Sequence, residues 1–110
     1  MCKLHHVAVA TTKFDEYKEL FKKLGMKIER EVGEIPVRQL WFYEGIQLKE
    51  VTSLECGLNV DHIALETNNI EKTIEIALAN GCKEDNRGDN WFVLPNGTKI
   101  ELMKKKIISI

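Results

Sequence analysis

Two histidines open stretches of nearly the same pattern, His6-Val7-Ala8-Val9 and His62-Ile63-Ala64-Leu65, 56 positions apart. Gly25-Met26-Lys27 and Gly81-Cys82-Lys83 repeat at the same spacing. The chain reads as two copies of one unit, and a duplicated strand histidine can place two imidazoles on one metal ion. Two oxygen donors accompany them, Gln47 in the first copy and Glu101 in the second. Two imidazoles, one carboxylate and one amide oxygen suit a borderline divalent ion: Zn, Ni, Co, Mn or Fe. Four protein ligands leave open positions on a six-coordinate ion, which a substrate with adjacent oxygens could fill. The ion would then act as a Lewis acid, stabilising an enolate or enediolate as a proton leaves the neighbouring carbon. Glu101 is the candidate catalytic group, able to move that proton.

The elements that must position these donors follow from the pattern of apolar residues. Leu4 to Ala10 is β-rich and apolar, a buried strand. Thr11 or Thr12 can cap the next element. There Phe14, Tyr17, Leu20, Phe21 and Leu24 have the spacing of one helical face, which Gly25 ends. Extended stretches follow at 26–32, 37–43 and 46–52, the last two joined by a tight turn at Glu44-Gly45. The second half repeats the order: strand 60–66; a helix capped by Asn68 or Asn69 with Ile70, Ile74, Ala77 and Leu78; a short strand at 82–86. A hairpin of 91–94 and 98–103 then turns at Pro95-Asn96-Gly97. Each half is thus strand, helix and three strands, an α+β arrangement. A unit this small cannot bury both sheet faces alone, so the halves should pair into one sheet system.

Successive strand residues point to opposite faces. Val7 and Val9 should meet the helix, and so should Ile63 and Leu65. His6 with Ala8, and His62 with Ala64, should face away. Counting outward from two-residue turns pairs Phe42 with Gln47 and Phe92 with Glu101. The same count sends Trp41 and Trp91 to the helix side. Gln47 and Glu101 then share the histidines' face, so four donors, two per half, project into one shared space. Glu50 remains a rival to Gln47, because a β-bulge could turn that carboxylate to the same face. By the same parity Phe42, Phe92, Leu40 and Leu94 would line an apolar substrate pocket. His5 points to the opposite face from His6.

Composition bounds the remainder. At 110 residues, 44% hydrophobic and 30% charged, the chain has the make-up of one ordinary domain with a real core. A net charge of -1 gives no electrostatic case for nucleic acid or an anionic membrane. The basic run Lys104-Lys105-Lys106 reads as a solvated strand end. Cys2, Cys56 and Cys82 are odd in number and lack metal-ligand spacing, which suggests a reducing cytoplasm. No apolar run approaches a membrane span and no signal peptide precedes Leu4, so the expected location is cytoplasmic.

With these residues in this order the chain resembles the vicinal oxygen chelate superfamily, the glyoxalase and bleomycin-resistance-like proteins. The resemblance covers residues 3–104. It rests on His6-Val7-Ala8-Val9, on Asp61-His62-Ile63-Ala64-Leu65 and on Asn96-Gly97-Thr98-Lys99-Ile100-Glu101-Leu102. It implies one domain over 1–110: tandem βαβββ modules at 3–52 and 61–104, a linker at 53–60, a tail at 105–110, and an open, barrel-like sheet around a cavity. It also implies that the first and last strand of each module supply the metal ligands, here His6, Gln47, His62 and Glu101. A glutamine at the second position is known in methylmalonyl-CoA epimerase-like members. Bacterial glyoxalase I-like (lactoylglutathione lyase-like) members have glutamate there.

The resulting expectation is a metal-dependent isomerase, epimerase or lyase acting on a small oxygen-chelating substrate. The resemblance implies a homodimer, with the site formed either within one chain or across two. Two alternatives come with it. One is a metal-free protein that binds an antibiotic or aromatic molecule. The other is a non-haem iron, extradiol-type dioxygenase using His6, His62 and Glu101, although those are usually longer chains.

Overall fold

The computed structural model describes residues 2–54 and 59–105; Cys56, Lys106 and the remainder of the expected tail lie outside them. The chain divides into two compact units, one of His6–Asp61 and one of His62–Ile110 with Met1–His5. The first βαβββ series is β1 (Lys3–Thr11), α1 (Phe14–Lys23), β2 (Ile28–Val32), β3 (Gln39–Phe42) and β4 (Ile46–Glu50). The second is β5 (Val60–Thr67), α2 (Ile70–Ala79), β6 (Lys83–Glu84), β7 (Trp91–Val93) and β8 (Lys99–Lys104). Strands run β2-β3-β4-β1 in the first and β6-β7-β8-β5 in the second, the same order twice. The fold is α+β.

In each module the first strand lies parallel to the last. Ala8 stands beside Gln47 and Val9 beside Leu48; Ala64 stands beside Glu101 and Leu65 beside Leu102. Partners across a ladder share a face, so His6, Ala8 and Gln47 fall on one side of their sheet. Likewise His62, Ala64 and Glu101 share one side of theirs. The other side carries the core. Phe14 of α1 packs with Leu40, Phe42 and Leu48, flanked by Val9, Phe21, Met26, Ile28 and Ile46. In the second module Ala77 of α2 packs with Phe92, Ile100 and Leu102, flanked by Ile63, Leu65, Ile70, Ile74, Cys82 and Leu94. Leu48 is fully buried. Leu48→Ala should therefore cost about 2–5 kcal/mol, read as a lower urea midpoint at unchanged m-value.

The hairpins correct the counting made from sequence. Trp41, not Phe42, stands opposite Gln47, and Trp91, not Phe92, stands opposite Glu101. The loops contain three residues rather than two. The Gly45 N–H donates to the Phe42 carbonyl at 3.2 Å, and the Gly97 N–H to the Leu94 carbonyl at 2.8 Å. Each turn is completed by a glycine in left-handed backbone, Gly45 at φ +103° and Gly97 at φ +91°. A three-residue loop of this kind adds one position to the count. One position flips every side chain of β3 and β7 to the other face. Leu40, Phe42, Phe92 and Leu94 therefore belong to the cores rather than to a substrate pocket. Trp41 joins Gln47 on its face of the first module, and Trp91 joins Glu101 on its face of the second.

Two smaller expectations also change. The apolar face of α1 is narrower than its spacing suggests, with Tyr17, Leu20 and Leu24 exposed. At roughly 100° per residue, Phe21 lies nearly in line with Phe14, whereas Tyr17, Leu24 and Leu20 fall progressively off that line. Thr11 does not cap α1 from its N-cap position; its hydroxyl instead accepts the Lys13 N–H at 2.8 Å, just ahead of the helix. Asn69 does cap α2, its Oδ1 accepting the Lys72 N–H at 3.0 Å.

Candidate metal centre

In the second module β5 carries His62 and β8 carries Glu101, brought together because Ala64 and Glu101 are ladder partners. His62 Nε2 and Glu101 Oε1 are 3.4 Å apart, with side chains 5% and 26% exposed. An imidazole nitrogen at this distance from a carboxylate oxygen is placed to share a proton or a cation with it. Two atoms bound to one divalent ion at about 2.0–2.1 Å stand roughly 3.0–3.4 Å apart, from a right angle to a tetrahedral one. The observed spacing fits a shared ion.

Trp91 fixes the ring of His62. The imidazole meets the indole edge-on, centroids 4.8 Å apart, and the Arg87 guanidinium covers the indole at 4.9 Å. Arg87 in turn lies 3.9 Å from Asp85, which also holds Lys99 at 3.0 Å. Burial pushes the Asp85 carboxyl up, but the hydrogen bond and charge of Lys99, with help from Asn86 and Arg87, outweigh it and hold the carboxyl below its ordinary range. Asp85 thus stays charged beside a donor face that already carries Glu101.

In the first module His6 and Gln47 are both buried, 4% and 3% exposed. They share a face of adjacent parallel strands. The Gln47 amide nitrogen donates to Gln39 Oε1 at 2.8 Å, which leaves the carbonyl oxygen as the donor end of the side chain. Trp41 stands opposite Gln47, under the Arg30 guanidinium at 4.2 Å. Each module therefore presents an oxygen donor beside a tryptophan covered by an arginine.

Glu50, the rival to Gln47, is committed elsewhere. As ladder partner of Thr11 it lies on the helix side, with Leu48 and Val9. It accepts from Arg38 Nη2 at 2.7 Å and from Nε at 2.9 Å, while Asp15 takes Nη1 at 2.9 Å. The Arg38 hydrogen bonds hold the Glu50 carboxyl below its usual range, against a smaller opposing effect of burial. A carboxylate depressed by folding adds stability that is present above its unfolded value of 4.5 and lost as the pH falls through its folded value. Wild-type protein should lose urea resistance on acidification below that value, and Glu50→Gln should flatten that part of the profile while leaving metal affinity unchanged.

Trp41, Trp91 and Gln39 are the donor-face residues that the sequence reading missed. The signal for them was present: a glycine third in each hairpin loop marks the three-residue turn that sets the register.

No protein-family model matches the chain, and no curated protein matches it in sequence. Solved structures do match in shape. A hypothetical protein of Bacillus halodurans C-125 superposes at TM-score 0.74 with 21% identity, over 99% of this chain and 98% of that one. Methylmalonyl-CoA epimerase from Mycobacterium tuberculosis gives TM-score 0.69 and 19% identity over 94% of this chain and 88% of that one. It has the fold of the vicinal oxygen chelate superfamily. The 2,2',3-trihydroxybiphenyl 1,2-dioxygenase of Sphingomonas wittichii strain RW1 carries the same fold, at TM-score 0.66 and 15% identity over 93% of this chain and 42% of that one. In this chain the vicinal oxygen chelate fold sets the first and last strand of each module side by side, and the donors named above sit on those strands. Among the described residues no helix is long and apolar enough to cross a membrane.

Proposed function

We propose that this protein is a divalent-metal-dependent isomerase, epimerase or lyase that moves a proton next to a carbonyl group. His6, Gln47, His62 and Glu101 would hold the ion. The observation that carries the reading is buried His62 facing half-buried Glu101 at 3.4 Å, a distance within the span of two ligands on one ion. The first module offers its own buried pair of donors on the equivalent strands. A divalent ion bound there supplies positive charge to the adjacent oxygens of a substrate.

The other roles fall to the chain itself. Glu101 is the most exposed of the four donors and, as a carboxylate, can take and return a proton. Trp91 keeps the His62 ring at a fixed angle. The indoles of Trp41 and Trp91 give the donor face apolar bulk that limits water beside the proton being moved.

A shape shared with epimerases from two bacteria supports the choice of proton transfer. The amide at position 47 favours an epimerase-like site over a lactoylglutathione lyase-like one. The dioxygenase neighbour keeps a second reading alive through the two-histidine, one-carboxylate set. The metal-free binding reading loses its proposed lining, since Leu40, Phe42, Phe92 and Leu94 pack in the cores. A small-molecule substrate, a homodimer and a cytoplasmic setting belong to the same proposal.

The test is metal analysis of protein purified without added metal, followed by proton-exchange assays in deuterated water. Methylmalonyl-CoA is the first probe, because the neighbouring structures act on it or hold its analogues. A bound divalent ion and metal-dependent exchange are expected. Absence of any bound ion, with His62→Ala indistinguishable from wild type, sinks the proposal.

A further inference from the structure

A side-chain amide offers a metal ion only its oxygen; turned by half a rotation about its last bond, it presents a nitrogen carrying two protons instead. An amide ligand therefore needs something that chooses its orientation. Gln47 is 3% exposed and its Nε2 donates to Gln39 Oε1 at 2.8 Å, so the pair holds the Gln47 nitrogen toward Gln39 and leaves the Gln47 oxygen turned away from it. The three-residue hairpin loop creates this contact. It places Trp41 opposite Gln47 and Leu40 opposite Leu48, so Gln39, two positions before Trp41, shares the donor face. A two-residue loop would have turned Gln39 toward the helix.

We propose that Gln39 is a positioning residue that locks the Gln47 amide with its oxygen free for the ion. This rests on the metal-dependent reading above. Gln39 is not itself a ligand. Its acceptor oxygen is what acts, so any side chain that accepts at that point should serve and any that cannot should fail. An outer partner of a metal ligand typically contributes about 10–100-fold in affinity.

The experiment is calorimetric titration of the metal-free protein with cobalt(II) alone, with thermal unfolding of each variant as a control for folding. Gln39→Ala should bind cobalt about 10–100-fold more weakly than wild type with little change in melting temperature. Gln39→Glu, which keeps an acceptor toward Gln47, should bind like wild type. In a Gln47→Ala background, adding Gln39→Ala should change nothing further, because the group it orients is gone. Wild-type binding that Gln39→Ala leaves unchanged overturns this proposal alone. So does a Gln39→Ala loss that persists undiminished without Gln47. Wild-type protein that takes up no cobalt overturns the metal reading and this inference with it.

Discussion

Glu101→Gln should cut the exchange of substrate protons with solvent deuterium by about 10²–10⁴-fold, the contribution typical of one positioned acid–base group. The substitution keeps the shape of the side chain and an oxygen donor, so the ion should be retained with weaker affinity. The loss should therefore fall on turnover and not disappear at saturating metal. The expectation follows from position. Glu101 is 26% exposed, against 5% for His62, 4% for His6 and 3% for Gln47, so it is the donor that a substrate can reach. Exchange at the wild-type rate in Glu101→Gln, with metal bound, would remove Glu101 from the chemistry and leave it a ligand only.

The second large effect is on the ion itself. His62→Ala should weaken cobalt or zinc binding by more than about 100-fold, since losing a ligand costs more than losing an outer partner. His5→Ala is the matched control. His5 is exposed on the neighbouring position to His6, and the alternation of strand faces turns it away from the donors. Equal losses in both variants would mean that histidines in general, rather than the donor face, hold the metal. His62→Ala also removes the ring against Trp91, so some thermal stability should go with it, and affinity should be measured well below the melting temperature.

Most of the frame was legible before any coordinates. The doubled His-x-Ala strands, the helix at Phe14–Lys23 and the Asn69 cap follow from local pattern and local chemistry. The shared face of His6 with Ala8 and of His62 with Ala64 was legible too, because it depends on even spacing along a single strand and on which face carries the larger apolar set. What was misread depends on loop geometry. Whether Glu44-Gly45 closes a two-residue or a three-residue turn decides the face of Leu40, Trp41 and Phe42 together. The same holds for Trp91, Phe92 and Leu94 at Asn96-Gly97. One backbone angle at each glycine moved two tryptophans to the donor face and four apolar residues into the cores. The engagement of Glu50 by Arg38 was not legible either, because an ion pair of residues 12 positions apart has no sequence signature.

The two imidazoles are the claim on which the others stand, and X-ray absorption of the zinc-loaded wild-type protein counts them directly. One zinc ion per chain is expected, with two imidazole ligands and oxygen completing the shell, and one imidazole fewer in His6→Ala and in His62→Ala alike. A spectrum with one imidazole or none, or one that His6→Ala leaves unchanged, would contradict that claim.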